Sequence, residues 1–69
     1  MEERTFECSD GTRWKVLTAG RPTLHRIDVV FESLDEPGLL LRAEASAGGL
    51  SELSDQELCF LVGEVRREH

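Results

Sequence analysis

Four side chains in this sequence have the chemistry of a nucleophile or a soft metal ligand: Cys8, His25, Cys59 and His69. A structural zinc site gathers such ligands in closely spaced pairs. Here they stand singly, with no C-x-x-C and no H-x-x-x-H spacing, so no metal site is expected. A cysteine nucleophile needs an imidazole within reach to hold it as a thiolate. His25 precedes a strand and would have to reach Cys8 or Cys59 through the fold. A packed thiol and a loop imidazole are the plainer reading. The two cysteines would form one disulfide in an oxidising compartment. The opening Met1-Glu2-Glu3-Arg4 is acidic with no apolar segment behind it, unlike a standard signal peptide. Reduced thiols and a cytoplasmic setting are therefore expected. The adjacent carboxylates Asp35 and Glu36 fall in a turn and should be solvated. Gly48-Gly49 lacks the strand and helix context of a phosphate loop and reads as a linker. No catalytic residue, metal or cofactor follows from the sequence.

The elements that would position any surface chemistry must come from 69 residues. A chain of this length forms one small domain and buries only about 60% of its unfolded surface. Hydrophobic residues make up 39% and charged residues 32%, which suits a globular domain better than a disordered one. There is no apolar run long enough to span a membrane. The net charge of −6 argues against general binding to a phosphate backbone, which needs a basic field. The acids alternate with Arg and Lys, as on a solvated surface.

The first element is a hairpin over 4–17. Asp10-Gly11 is a turn signal. A two-residue turn would set Phe6 opposite Lys15 and Cys8 opposite Arg13, mixing apolar and charged side chains on one face. A three-residue loop, Ser9-Asp10-Gly11, with Gly11 in the left-handed conformation, sorts them. Phe6 then faces Trp14, Cys8 faces Thr12, and Arg4 faces Val16. On the other face Glu7 meets Arg13 and Thr5 meets Lys15. Cys8 lies on the apolar face and behaves as a small hydrophobe.

Gly20 and Pro22 break the pattern, so 19–25 reads as a loop, with Leu24 and His25 packing under it or opening the next strand. A second hairpin spans 26–45. Its first strand alternates Ile27, Val29 and Phe31 against Asp28, Val30, Glu32 and Leu34. Its turn, Asp35-Glu36-Pro37-Gly38, places Pro-Gly at the centre of a type II turn. Its second strand puts Leu39, Leu41, Ala43 and Ala45 on one face. Pairing Phe31 with Ala43 and Ser33 with Leu41 keeps the core faces aligned and sets Glu32 opposite Arg42. That parity calls for a bulge near Gly38.

Residues 46–53 read as a linker, of which Ser46-Ala47-Gly48-Gly49 is a flexible connection. Ser54 and Glu57 then form a capping box, with Leu53 and Leu58 as the hydrophobic staple. A helix follows over 55–67. Asp55 and Glu57 suit its N-terminal dipole, and Arg66 and Arg67 its C-terminal end. Its apolar stripe is Leu58, Leu61, Val62 and Val65. These elements predict an α+β fold: a four-stranded antiparallel sheet of two hairpins with one C-terminal helix packed on one face, against Trp14, Val29, Phe31 and Leu41.

Phe6, Asp10-Gly11, Trp14 and Val16, then Val30-Phe31-Glu32-Ser33, then Leu53-Ser54-Asp55-Gln56-Glu57-Leu58, resemble a group of small bacterial proteins of unknown function. Their pattern is a DG-x-x-W-x-V opening, a strand ending Phe-Glu-Ser, an Arg-bearing strand and a closing L-S-D-x-E-L helix. The shared motifs cover most of the chain and are structural. The resemblance implies this fold and a bacterial cytoplasmic setting, and it carries over no activity.

Two sets of apolar residues are left over once the core is filled. Phe60, at 100° per residue, points nearly opposite the apolar stripe, near Gly63, Glu64 and Arg67. It is either an aromatic anchor for a partner or a residue covered by Leu50, Leu53 or the N-terminal arm. Leu17, Val30, Leu34 and Leu40 point to the outer sheet face, among Arg13, Lys15, Glu32, Arg42 and Glu44. They form either scattered exposed aliphatics or a contact surface for a partner or a second copy. The function expected is thus a non-enzymatic protein-interaction module or accessory subunit of a larger bacterial assembly, with Phe60, Arg67, Leu17, Val30, Leu34, Leu40 and Arg42 as its surface. A regulator touching nucleic acid or the transcription machinery through Arg13, Lys15 and Arg42 is one alternative. A small thiol-dependent enzyme is another.

Overall fold

The computed structural model describes residues 3–20 and 25–67. Four strands, β1 (Glu3–Glu7), β2 (Arg13–Ala19), β3 (Ile27–Ser33) and β4 (Leu40–Ala45), form an antiparallel sheet in the order β1-β2-β3-β4. A 3-10 turn (Leu50–Glu52) leads into the helix α1 (Asp55–Arg67). The fold is α+β: a meander sheet followed by one C-terminal helix that contacts it. The connection expected over 19–25 lies largely outside the described residues, as does Leu24.

The first hairpin has the register that facial sorting requires. Phe6 pairs with Trp14, Arg4 with Val16, Thr5 with Lys15 and Glu7 with Arg13. The Cys8 amide donates to the Thr12 carbonyl at 2.8 Å, and the Gly11 amide donates back to the Cys8 carbonyl at 2.9 Å. Gly11 sits at φ +89°, a conformation that a Cβ would strain. Glu7 stands opposite Arg13 as expected, but its carboxylate is not the one that the guanidinium binds. Arg13 turns instead to Asp35, with Nη2 2.9 Å and Nε 3.3 Å from Oδ1, because its own amide already holds Oδ2 at 3.0 Å.

The β3–β4 register differs from expectation by two residues. Phe31 pairs with Leu41, not Ala43, and Glu32 faces Leu40 while Arg42 faces Val30. The loop occupies five residues, 34–38, closed by the Ser33 amide donating to the Leu39 carbonyl. Ser33 is buried, and its hydroxyl accepts from the amides of Asp35 and Glu36 at 3.3 and 2.9 Å. Pro37 and Gly38 occupy the centre of a tight turn closed by the Leu39 amide on the Glu36 carbonyl, with Gly38 at φ +89°. This is the geometry that suits Pro-Gly. Ser33 fixes one half of the loop and Pro37-Gly38 the other. The ladder therefore runs unbroken from Ile27 opposite Ala45 to Glu32 opposite Leu40, without the expected bulge. A shift of two preserves the side-chain faces, so the core is the one the alternation predicts.

That core holds Phe6, Trp14, Val16, Ile27, Val29, Phe31 and Leu41 from the sheet and Leu58 and Val62 from α1. Phe6 meets Phe31 edge-on at 5.9 Å between centroids, a favoured aromatic geometry. Trp14 is 1% exposed. Its Nε1 donates to the Thr12 hydroxyl at 3.0 Å, and the Arg66 guanidinium lies over its ring at 5.9 Å.

The connection over 46–53 is packed, where a linker was expected. Ala47, Leu50 and Leu53 are buried in the core. They supply apolar area that the sheet and helix alone lack. Arg4 fastens this segment from the inner face of β1. Its Nη1 reaches the Leu50 carbonyl at 3.2 Å and its Nη2 reaches Asp55 at 3.1 Å. The capping box closes as its spacing predicts, with Ser54 N donating to Glu57 Oε1 and Glu57 N to Ser54 Oγ, each at 3.1 Å.

Candidate functional site

The residues with the chemistry of a nucleophile are consumed by structure. Cys8 and Cys59 are joined as a disulfide, with Cα atoms 5.6 Å apart, which corrects the expectation of reduced thiols. The three-residue loop puts Cys8 on the inner face at the end of β1, and α1 brings Cys59 over it. While the bond holds, neither sulfur is a thiolate. His25 is exposed, and His69 lies outside the described residues. Among the described residues, no three His, Cys, Asp or Glu side chains are grouped to hold a metal ion.

The expected basic patch is divided. Arg13 is bound to Asp35 and Lys15 lies 3.4 Å from Glu3. The Arg13 guanidinium and amide hold the Asp35 carboxyl below its ordinary value, and Asp35 raises Arg13 in return. Asp35 is exposed, as expected of a turn carboxylate, and also accepts from Arg13. Asp10 is lowered as well, chiefly by the Thr12 hydroxyl that donates to it at 2.7 Å. Arg42 makes no ion pair among the described residues.

On the outer face, Leu17, Val30 and Arg42 line up across β2, β3 and β4 as one cross-strand row. In the next row Lys15, Glu32 and Leu40 align. Leu17 and Val30 are half-buried by their neighbours, whereas Leu34 is 44% and Leu40 59% exposed. The set is a mixed surface with its apolar weight toward β4.

Phe60 lies on the helix side and is 63% exposed. Neither Leu50 nor Leu53 covers it, because both turn into the core. Leu53, Phe60 and Leu61 instead line a groove of about 460 Å³ that runs between α1 and the end of β4 at Glu44, Ala45 and Ser46. Arg67, the second residue expected on this surface, is exposed at the C-terminal end of α1. The structure therefore separates the expected surface residues into two sets, on opposite sides of the sheet.

The groove was not legible in the sequence, because its floor comes from Leu53 in a segment that reads as a linker. The L-x-x-L spacing of Leu50 and Leu53 is the signal that marks this segment as packed. Among the described residues, no helix is long and apolar enough to cross a membrane. No family model matches the chain, and no curated protein or solved structure matches it.

Proposed function

We propose that this chain is a non-enzymatic protein-interaction module, working by contact with another protein as an accessory subunit. The observation that carries the reading is Phe60, left 63% exposed at the rim of a groove with an apolar floor. An aromatic side chain held on a helix beside a concavity supplies a large contact area with little rotamer freedom to lose, which is how interface anchors act. The outer-face leucines, Leu34 and Leu40, form a second, smaller contact.

Phe60→Ala tests the reading. Its side chain is outside the core, so the variant keeps its fold by circular dichroism. Affinity recovery of the tagged chain from its source cells should lose the partner that the unsubstituted chain recovers. Equal recovery by both chains sinks the Phe60 surface.

A cytoplasmic setting and a lasting Cys8–Cys59 bond pull in opposite directions, since cytoplasmic reductants keep thiols reduced. The disulfide supports a compartment that oxidises thiols. Alkylation of intact cells before lysis decides between them: blocked Cys8 and Cys59 place the chain among reductants, and unmodified cysteines place it outside them.

A further inference from the structure

We infer that β4 pairs with β4 of a second copy of the chain, joining two sheets into one of eight strands. The inference rests on the reading of the chain as an interaction module, and it names one partner.

The hydrogen-bonding parity of the sheet defines what the edge offers. The Ser33 amide donates to the Leu39 carbonyl, so in the alternating antiparallel ladder residues 39, 41, 43 and 45 bond to β3. The amides and carbonyls of Leu40, Arg42 and Glu44 point the other way, along the open edge. An edge of this kind is a template for another strand.

The sheet has two edges, and their side chains answer the question of self-pairing differently. On β1 the outward-bonding residues are Glu3, Thr5 and Glu7, by the same parity from Cys8 and Thr12. An antiparallel second copy centred on Thr5 sets Glu3 opposite Glu7 twice, and like charges in direct opposition are destabilising. On β4 the sequence is Arg42-Ala43-Glu44. A two-fold axis through Ala43 sets Arg42 of each copy opposite Glu44 of the other. It sets Ala43 opposite its own mate, where a small side chain is needed at the axis. Both charged contacts are attractive, and Arg42 has no ion pair among the described residues to give up. Glu44 already holds Arg26 at 3.3 Å, so each Glu44 would sit between two cations.

A continuous sheet with this axis carries both α1 helices on the same face. The groove beside Phe60 ends at Glu44 and Ala45. Two Phe60 side chains therefore flank the seam, and a larger partner would meet them as a symmetric pair.

Sedimentation velocity of the oxidised chain across a wide concentration range tests the pairing. The chain should reach twice its 7.8 kDa mass. Arg42→Glu and Glu44→Arg each place like charges in opposition at two points and should weaken the dimer by about tenfold to a hundredfold. The double variant Arg42→Glu with Glu44→Arg exchanges the two charges and should recover it. Both positions are exposed, and circular dichroism confirms that each variant is folded. A monomer at every concentration overturns the inference, as does a dimer indifferent to the single substitutions or a double variant that stays dissociated. A monomer that still loses its cellular partner on Phe60→Ala would overturn the self-pairing and leave the interaction module standing.

Discussion

Cys8 and Cys59 fasten the turn end of the first hairpin to α1 across 51 residues of sequence. Cys8 follows the last residue of β1 and Cys59 lies within α1, beside buried Leu58. The bond therefore spans the interface between sheet and helix and closes most of the chain into one loop. In the chain-entropy account, a loop of this length stabilises the folded state by about 4 kcal/mol. For a domain this small that is a large share of the total.

Removing the bond should therefore be the most damaging change outside the core. The Cys8→Ser, Cys59→Ser variant, or the reduced chain, should lose about 2–4 kcal/mol, read as a lower urea midpoint. The single Trp14, buried near the sheet–helix junction, reports the transition by fluorescence. Equal midpoints with and without reductant would show that the bond closes no loop that the unfolded chain otherwise opens.

Two exposed carboxylates contribute to the acid limb of stability. Asp35 is lowered by Arg13, and Asp10 by Thr12, from the ordinary value of 3.8. A carboxyl lowered in the folded state contributes stability that is complete above its unfolded value and is lost as pH falls through the folded one. Both groups are exposed, so the contribution is small and screened by salt. Asp10→Asn with Asp35→Asn should be less stable than the parent at pH 6 and converge on it below the folded values. Thermal unfolding from pH 6 to 2 checks this, and parallel curves over the whole range would contradict it.

The helix depends on its cap and its buried face in different measure. Ser54→Ala removes the acceptor for the Glu57 amide and should destabilise by about 1 kcal/mol. Leu58, fully buried, should lose about 2–5 kcal/mol on truncation to Ala through lost transfer energy and the cavity left behind. Leu40→Ala, at 59% exposure, should stay within about 0.5 kcal/mol. Urea midpoints should be highest for Leu40→Ala, lower for Ser54→Ala and lowest for Leu58→Ala, and a Leu40 effect matching that of Leu58 would mean that the outer face at Leu40 is covered in solution.

How much of this was legible in the sequence depends on whether the deciding contact is local. The first hairpin was legible because Gly11 fixes the turn and the Phe6 and Trp14 face fixes the parity. The cap was legible because Ser54 and Glu57 are three residues apart. The second hairpin was legible only in its faces. Its register rests on the Ser33 hydroxyl and on the Arg13 reach to Asp35, which is 22 residues away. The disulfide was illegible because nothing local sets Cys59 over Cys8. Phe60 could be placed outside the helix stripe by angle alone, but the groove beside it needed the fold of 46–53.

Two glycines give opposite expectations from one substitution. Gly11 carries φ +89°, which an L side chain adopts only with strain, although no atom lies within 4 Å of a Cβ placed there. Gly11→Ala should therefore destabilise by about 1–2 kcal/mol through backbone strain alone. Gly63 lies inside α1, also with nothing within 4 Å of a Cβ placed there. Its helical conformation suits alanine, and the unfolded chain loses freedom when the Cβ is added. Gly63→Ala should stabilise by about 0.8–1 kcal/mol. The pair is measured best in the disulfide-bonded chain, where the unfolded reference is the same for both. A destabilising Gly63→Ala would imply that this face of α1, one turn from Phe60, lies against a second molecule. In that case the loss should grow with protein concentration.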